Sequence, residues 1–261
     1  MLRIGALKME KRVVIVTGMA DGIGKFITER FLDNGYAVAG VDNRAEQLQA
    51  VTAELGARGT FMPQVASVLD FDDVHAMAAR VFEETGRIDV LVNNVGGSGA
   101  ISQPMEEISL EDWERVLNLN IKSSFLCIHA ALPYMKRAKW GRIVNMSSMA
   151  GRSRSYFGGV PYATAKAALI GMVRQGSKEM APFGITINAV APGVIVASER
   201  IRNYWETKRT DEEREGLVKT IPAGRTGTGD DVAAAVAFLA SDDASYINGA
   251  VLDVNGGIWV G

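Results

Sequence analysis

The sequence predicts an α/β protein with a doubly wound, mostly parallel seven-stranded sheet and helices on both faces. Short β-branched runs alternate with longer helical patterns along the chain, which is typical of strands joined by crossover helices. The run at 88–92 is almost wholly apolar, as expected for a central strand covered on both faces. No repeat or linker divides the 261 residues, of which 48% are hydrophobic, so we expect one domain over residues 1–261.

Four strands and three helices are predicted in the first half of the chain. Each strand is a short run of apolar or β-branched residues, and each helix has apolar residues at helical spacing. Right-handed crossovers place these helices on the two faces of the sheet. We expect strands at 13–16, 37–41, 61–65 and 88–92, and helices at 23–33, 45–55 and 72–84.

The second half repeats the scheme with three more strands. Between its last two strands lies a charged segment, 198–221, which contains Tyr204 and Trp205. We expect this segment to form a mobile helical lid over the crevice at the carboxyl ends of the strands. The remaining elements are expected as strands at 142–146, 186–190 and 250–254, and helices at 110–135, 162–181 and 230–239.

The charge balance argues against two classes of partner. Lysine and arginine total 28, aspartate and glutamate total 30, and the net charge is -2. Such a balance gives no long-range attraction for nucleic acid or for anionic lipid. No run of about eighteen apolar residues occurs, so a membrane span is not predicted either. We expect a soluble, cytoplasmic protein with neither nucleic acid nor membrane as a partner.

Histidine and cysteine are too few for a metal site or a disulfide. His75 and His129 are the only histidines, and Cys127 is the only cysteine. A histidine-rich metal centre is therefore excluded, and a Ser-His-Asp hydrolase is hard to build. We expect no bound metal, and we expect Cys127 to be a buried structural thiol.

A glycine-rich turn follows the first predicted strand and opens a helix. Gly18, Gly22 and Gly24 permit a sharp turn and let backbone N–H groups approach a pyrophosphate at the positive end of the helix dipole. Asp21 and Ile23 lie within the same turn. The spacing differs from the common G-x-G-x-x-G, and a purely structural turn is the alternative. In this position the turn favours a Rossmann-type dinucleotide site.

The second strand ends at an acidic residue, Asp42, which lies eighteen positions beyond Gly24. A carboxylate here accepts hydrogen bonds from the adenosine ribose hydroxyls and repels a 2'-phosphate. Asp21 adds to that repulsion, whereas Arg44 is the nearby residue that argues for NADP. We therefore expect NAD as the cofactor in preference to NADP. The alternative is that Asp42 only caps the following helix.

A tyrosine and a lysine occur at helical spacing in the second half. Tyr162 and Lys166 are four residues apart, which puts the phenol and the ammonium on one helical face. Ser148 follows the preceding strand and is expected to face the same crevice. The pair alone is weak evidence because this spacing arises often by chance.

Further motifs occur in order along the chain: Asn-Asn-Val-Gly at 93–96, Asn120, Pro-Gly at 192–193 and Asp-Val-Asn-Gly-Gly at 253–257. With the glycine turn, Ser148 and Tyr162-x-x-x-Lys166, they resemble the short-chain dehydrogenase/reductase family over essentially the whole chain from about Arg12. The length resembles that of the family's compact dehydrogenase and ketoreductase branch. The resemblance implies NAD(P)-dependent hydride transfer at CH–OH groups.

The resemblance also implies a role for each residue. Tyr162 is expected to exchange the alcohol proton, because an ammonium and an oxidised nicotinamide together lower a phenol pKa near 10 by about 1 to 3 units. Lys166 is expected to hold the nicotinamide ribose, Ser148 the substrate oxygen, and Asn120 a water after interrupting its helix. The cofactor contacts are expected from Gly18, Asp21, Gly22, Ile23, Gly24, Asp42, Ser67, Asn94, Gly96, Tyr162, Lys166, Pro192, Gly193 and Ile195.

We therefore expect an oxidoreductase that interconverts a secondary alcohol, such as a sugar or another polar hydroxy compound, and its ketone with NAD(H). One alternative is an NADPH-dependent 3-oxoacyl thioester reductase, against which Asp42 and Asp21 argue. A noncatalytic dinucleotide-sensing module is the other, against which the intact Ser148, Tyr162 and Lys166 argue. The resemblance implies a homotetramer.

The chain departs from the family pattern at several positions. Val95 replaces a usual alanine, and Ser67 stands where an aspartate commonly contacts adenine. The stretch 194–198 lacks the usual threonine, so the resemblance assigns the nicotinamide contact to the backbone of Ile195 and not to the side chain of Ser198. The segment 148–162 is one residue longer than in many relatives. Tyr156 is expected to line the pocket or the surface. Arg152, Arg154, Arg200 and Arg202 either bind an anionic substrate group or, as we favour, face solvent or another subunit.

Overall fold

The computed structural model describes residues 10–261, apart from the side chain of Arg200. Within them, seven parallel strands form one sheet in the order β3-β2-β1-β4-β5-β6-β7. The expectation of a mostly parallel sheet is therefore met by a sheet that is parallel at every pairing. The strands are β1 (Val13–Thr17), β2 (Ala37–Asp42), β3 (Phe61–Val65), β4 (Val90–Asn93), β5 (Gly141–Met146), β6 (Ile185–Pro192) and β7 (Val251–Val254).

Helices connect the strands and cover both faces of the sheet. Most begin at a Ser, Thr or Asp whose side chain accepts a hydrogen bond from the first turn, as at Thr228, where a full capping box forms. They are α1 (Gly22–Asp33), α2 (Ala45–Arg58), α3 (Phe71–Thr85), α4 (Leu110–Leu117), α5 (Ser123–Ala138), α6 (Val160–Met180), α7 (Glu199–Thr207), α8 (Asp211–Lys219) and α9 (Gly229–Leu239).

Two apolar cores lie on opposite faces of the sheet. One packs α3, α5 and α6 against residues such as Ile15 and Leu91, and the other packs α1, α2 and α9 against residues such as Val14 and Val92. Strands β1, β2, β4, β5 and β6 are buried along their whole length, which explains the apolar runs of β1, β2 and β4. The strand order reverses between β1 and β4, and this places the ligand crevice at their carboxyl ends.

The long helix predicted at 110–135 is wrong as a single element. The chain forms α4 and α5, with a π-helical turn at Asn118–Lys122 between them. Asn120 lies in this turn, and its side-chain amide donates to the Val116 carbonyl at 2.8 Å, as expected for a residue that interrupts the helical ladder. The break turns the Asn120 side chain towards the carboxyl end of β4.

Three further expectations concern the two histidines, the single cysteine and membrane-spanning helices. His75 and His129 hydrogen-bond to each other at 2.9 Å on the surface, and no group of three metal-ligating side chains occurs in residues 10–261. Cys127 is buried, and burial raises the pKa of its thiol to about 12. None of the described helices is long and apolar enough to cross a membrane.

Candidate active site

A cleft of about 740 Å³ runs along the carboxyl ends of the strands. It is lined by all the predicted site residues except Gly24 and Asn120, which lie behind its wall. The lining set is Gly18, Asp21, Gly22, Ile23, Asp42, Ser67, Asn94, Gly96, Ser148, Tyr162, Lys166, Pro192, Gly193 and Ile195. Residues far apart in sequence meet here because parallel strands end at one edge of the sheet.

The glycine turn between β1 and α1 has the backbone geometry that only glycine adopts readily. Gly18 and Gly22 have φ of 64° and 61°, in the left-handed region. A Cβ on Gly24 would lie 2.2 Å from the Gly18 carbonyl oxygen, so α1 packs directly on the turn. Asp21 caps α1 by accepting a hydrogen bond from the Gly22 N–H at 2.7 Å. The turn thus fits a phosphate-bearing dinucleotide at the N-terminus of α1.

Asn94 holds this turn from the next strand. Its side-chain amide donates to the carbonyls of Thr17 and Gly18 at 3.0 Å each, and its backbone N–H donates to the Thr17 hydroxyl. Val95 lies against the same turn, where a Cβ on Gly18 would be 3.0 Å from its side chain. The larger residue at position 95 is therefore accommodated by the absence of a side chain at position 18.

Asp42 ends β2 with only 4% of its surface exposed. Its carboxylate accepts hydrogen bonds from the Ala20 N–H at 3.1 Å and from the Arg44 side chain at 2.9 and 3.0 Å. Burial acts to raise the pKa of Asp42, but the hydrogen bonds from Arg44 and Ala20 outweigh it and lower the pKa. The N-cap of α2 is Arg44, which makes no side-chain capping bond, so capping that helix does not explain Asp42.

Tyr162 and Lys166 lie on the first turns of α6, opposite Ser148 at the end of β5. Ser148 lies close enough to Tyr162 to lower the pKa of its phenol, and the Lys166 Nζ lies 5.6 Å from the centre of the Tyr162 ring. Lys166 is 4% exposed, and its ammonium donates to the Met146 carbonyl at 2.7 Å. The Ser147 hydroxyl donates to the Lys166 carbonyl at 2.9 Å, which fixes α6 against β5.

Burial dominates the protonation of this pair. Burial raises the pKa of the Tyr162 phenol, and the hydrogen bond with Ser148 offsets only part of that rise. Burial also lowers the pKa of Lys166, to about 7. The low phenol pKa expected from the sequence is therefore not produced by the protein's own groups. An oxidised nicotinamide carries the further positive charge that favours the phenolate.

Asn120 reaches Lys166 across a single glycine. Its side chain donates to the Gly97 carbonyl at 2.9 Å and accepts from the Gly97 N–H at 3.1 Å. A Cβ on Gly96 would lie 2.5 Å from the Asn120 Oδ1 and 2.8 Å from the Lys166 Nζ. The absence of a side chain at position 96 therefore allows the amide and the ammonium to approach each other.

Comparisons with known proteins decide the family. A family model described as Enoyl-(Acyl carrier protein) reductase matches residues 18–259. The 3-oxoacyl-(acyl-carrier-protein) reductase of Thermotoga maritima is 38% identical over 97% of this chain and 99% of its own. The chain belongs to the short-chain dehydrogenase/reductase family. It is therefore an oxidoreductase of a family that uses a nicotinamide dinucleotide.

Two solved structures of short-chain dehydrogenase/reductases share its fold. The crystal structure of levodione reductase has a TM-score of 0.86 and 32% identity, over 94% of this chain and 96% of its own. The structure of ElxO with NADP bound has a TM-score of 0.85 and 32% identity, over 96% and 99%. The seven-stranded sheet described above is thus the fold of this family.

The positions that depart from the family pattern also line the cleft or lie next to residues that line it. Ser67 lines the cleft, and its backbone N–H donates to Asp73 at 2.6 Å. Gly193 donates from its N–H to the Val254 carbonyl, while Ile195 pairs with Gly227 in an isolated parallel bridge. Ser198 caps α7 with its hydroxyl. The Ser198 hydroxyl is therefore occupied by a hydrogen bond to the first turn of α7.

The structure separates the four arginines that the sequence groups together. Arg152 forms an ion pair with Asp253 at 3.1 Å and stacks on Trp259 at 4.7 Å, so it ties the loop after Ser148 to the C-terminus. Arg154 lines the cleft, Arg202 is an exposed residue of α7, and the side chain of Arg200 lies outside the described part. Sequence reasoning missed Arg209, which stacks on the cleft residues Phe157 and Trp205 and has no motif to signal it.

Proposed function

We propose that this chain interconverts a secondary alcohol and its ketone with NAD(H). The observation that carries the proposal is the meeting of Tyr162, Ser148 and Lys166 in one cleft with the glycine turn. When bound, the dinucleotide supplies or accepts hydride at the nicotinamide ring. The protein then has to supply proton transfer, orientation and exclusion of water, and these residues have the chemistry for all three tasks.

Tyr162 exchanges the proton of the reacting oxygen. Its hydroxyl donates to the ketone oxygen during reduction and accepts the alcohol proton during oxidation. Ser148, which lines the cleft beside Tyr162, holds the same oxygen and orients it. The Lys166 ammonium stabilises the phenolate, and from the same cleft it would hold the ribose next to the nicotinamide. Asn120 fixes the Gly96–Gly97 turn against Lys166.

NAD rather than NADP is supported by the carboxylates at the adenosine end. Asp42 lines the cleft at the end of β2, where a 2'-phosphate would meet its negative charge, and Asp21 lies in the neighbouring turn. Arg44 is held by Asp42 through two hydrogen bonds, so its charge is already neutralised. The NADP bound by ElxO is a property of that relative.

Measured kcat/KM with NADH and NADPH over a panel of ketones tests the proposal. We expect NADH to be preferred by about tenfold or more, since one charge-assisted contact changes binding by about this factor. Asp42→Ser should reverse the preference, because it removes the repelling carboxylate and releases Arg44 for the 2'-phosphate. Asp21→Ser should lower the preference for NADH less than Asp42→Ser does, since Asp21 is exposed and its removal leaves the Arg44–Asp42 pair intact. A wild type that prefers NADPH would refute the cofactor assignment.

A second candidate is an NADPH-dependent 3-oxoacyl thioester reductase. The observation that favours it is the similarity to the Thermotoga maritima 3-oxoacyl-(acyl-carrier-protein) reductase. A 3-oxoacyl thioester offered beside simple ketones, with each cofactor, separates the two candidates. If both cofactors bind but neither supports reduction of any ketone or thioester, the noncatalytic dinucleotide-sensing module becomes the remaining candidate.

We also propose how the chain is organised around this site. Residues 10–261 form one catalytic and cofactor-binding domain, in which 198–221, comprising α7 and α8, closes over the substrate. Residues 1–9 of the predicted domain lie outside the described part of the chain. Tyr204 and Trp205 line the cleft from α7, in support of that role. Assembly as a homotetramer is supported by the exposed apolar side chains Leu110 and Phe125 on α4 and α5. The cytoplasmic location stays a prediction.

A further inference from the structure

The two ends of the cleft differ in charge. At the adenosine end the charged lining residues are Asp21, Asp42 and Arg44, and the arginine is paired with Asp42. At the Tyr162 end none of the described lining residues is a carboxylate, whereas Arg154 and Lys166 are both cations. An anionic group would therefore be repelled from one end and attracted to the other.

Two arginines flank the mouth of the cleft beyond Tyr162. Arg154 lies with its guanidinium 5.0 Å from the centre of the Tyr156 ring, and Arg209 lies 4.9 Å from that of Phe157. The two rings are neighbours, with centres 6.5 Å apart, and both line the cleft. Arg154 belongs to the loop after β5 and Arg209 to the turn between α7 and α8. The two cations thus reach neighbouring aromatic residues of the cleft from two different segments of the chain.

Neither arginine forms an ion pair with any residue that the structure describes. The Nε of Arg209 is buried without a hydrogen-bond partner. Of the carboxylates near Arg209 in sequence, Asp211 pairs with Arg214 and Glu213 accepts from the Thr210 N–H at 2.9 Å. Glu206 and Glu212 are exposed, and neither forms an ion pair with Arg209. A buried guanidinium N–H without an acceptor is unfavourable, and an oxyanion is the ligand that best satisfies it.

The walls between these cations are aromatic. Tyr156 and Phe157 are exposed on one side, and Tyr204 and Trp205 line the cleft from α7. Such walls bury an apolar or aromatic body at little conformational cost. An alcohol or ketone carbon at Tyr162, an apolar body and an anionic end would match the order of groups from the centre of the cleft outward.

We propose that the substrate carries an anionic group, carboxylate or phosphate, which Arg154 and Arg209 bind while the reacting carbon lies at Tyr162. This inference rests on the proposed alcohol–ketone chemistry. It replaces the grouping of Arg152 with the other arginines, because Arg152 is engaged by Asp253. The anionic group is recognised by charge and by the planar donors of arginine, and the aromatic walls select for an apolar body.

Matched ketones test the proposal in steady-state kinetics with NADH. The probes are 4-acetylbenzoate, its methyl ester and 4-acetylphenyl phosphate. We expect the wild type to have a kcat/KM about tenfold or more higher for at least one anionic ketone than for the ester. The anionic ketone with the higher kcat/KM then identifies the anionic group of the substrate as a carboxylate or a phosphate. Added NaCl should raise KM for the anion and leave that for the ester unchanged.

Variants then assign the preference to the two arginines. Arg154→Met and Arg209→Met should each lower kcat/KM for the anionic ketone by about tenfold and change the value for the ester less than about twofold. Arg202→Met is the matched control, because Arg202 is exposed on α7 and, unlike Arg209, does not stack on the aromatic residues that line the cleft. Arg209→Lys should retain part of the preference. Equal losses for anion and ester in the Arg209 variants would show a packing role and overturn the proposal.

A binding measurement keeps this test independent of turnover. Quenching of Trp205 fluorescence on addition of each of the three ketone probes measures their binding in the presence of NAD, which cannot reduce a ketone. Trp205→Phe is the reference for the other tryptophans. Tighter binding of an anion than of the ester supports the proposal, and equal or weaker binding overturns it. An enzyme that reduces the ester and the anions equally well keeps the alcohol–ketone function but has no anion site. Absence of turnover with selective anion binding would instead refute the proposed reaction.

Discussion

Gly96 is the position where a single methyl group would disturb the site most directly. The Gly96→Ala substitution places a Cβ 2.8 Å from the Lys166 Nζ and 2.5 Å from the Asn120 Oδ1. Ordinary van der Waals contact begins at 3.4 Å. The ammonium would therefore have to move by about 0.6 Å and the amide oxygen by about 0.9 Å to restore normal contact.

Neither group has room to move freely. Lys166 is 4% exposed and donates to the Met146 carbonyl, and Asn120 is fully buried with bonds to Gly97 and Val116. Overpacking of this kind costs about 1 to 3 kcal/mol of stability. Misplacement of catalytic groups by about 1 Å lowers rates by about a hundredfold. We expect Gly96→Ala to lower kcat/KM by about two orders of magnitude.

Three measurements separate the effects. NADH oxidation with a ketone gives kcat and KM, fluorescence titration gives the dinucleotide Kd, and urea unfolding gives the loss of stability. Gly97→Ala is the control, because a Cβ there meets no atom within 4 Å and its backbone bonds to Asn120 are kept. Full activity in Gly96→Ala, or an equal loss in Gly97→Ala, would refute the close packing on which the reasoning depends.

Three further variants test the groups around the phenol. Ser148→Ala should lower kcat about a hundredfold and move the alkaline inflection of alcohol oxidation to higher pH, because the hydrogen bond from Ser148 lowers the pKa of Tyr162; an inflection at unchanged or lower pH would contradict this. Lys166→Met should stabilise the fold more at pH 6 than at pH 10 in urea titrations. The pKa of Lys166 is about 7 in the folded protein and about 10.4 in the unfolded chain. Below pH 7 the buried ammonium therefore destabilises the fold in full, and this destabilisation disappears as the pH rises from 7 towards 10.4. A stability difference that is independent of pH would contradict the burial of this charge. Arg152→Met should lower the free energy of unfolding by about 2 kcal/mol, because Asp253 is left without its partner. The double variant Arg152→Met/Asp253→Leu should recover much of that loss, and no recovery would mean that the pair is not the cause.

Much of the fold is readable from local sequence. Apolar strands and amphipathic helices follow from periodicity, and the observed β3 coincides with the predicted strand at 61–65. The π-turn at Asn118–Lys122 is different, because the apolar pattern continues through it. It forms when the Asn120 amide bonds to Val116 and Gly97, and Gly97 is distant in sequence.

The candidate site divides in the same way. The glycine turn, Asp42, Ser148 and the Tyr162–Lys166 pair are each visible as motifs, because a turn conformation or a helical spacing is a local property. The partners of each arginine, by contrast, are not determined by local sequence. Arg152 is engaged by Asp253 and Trp259, whereas Arg209, outside every motif, is brought onto Phe157 by the α7–α8 turn.

The sequence by itself determined that this is an α/β dinucleotide-type enzyme with a tyrosine, a lysine and a serine at its centre, because periodicity and short spacings encode helices, strands and turns. Only the tertiary structure decided that burial sets the protonation of Tyr162 and Lys166, and that Asp42 neutralises Arg44. It also decided which arginines are left to meet a ligand. Desolvation and ion pairing depend on which distant segments pack together, and that information is absent from local pattern.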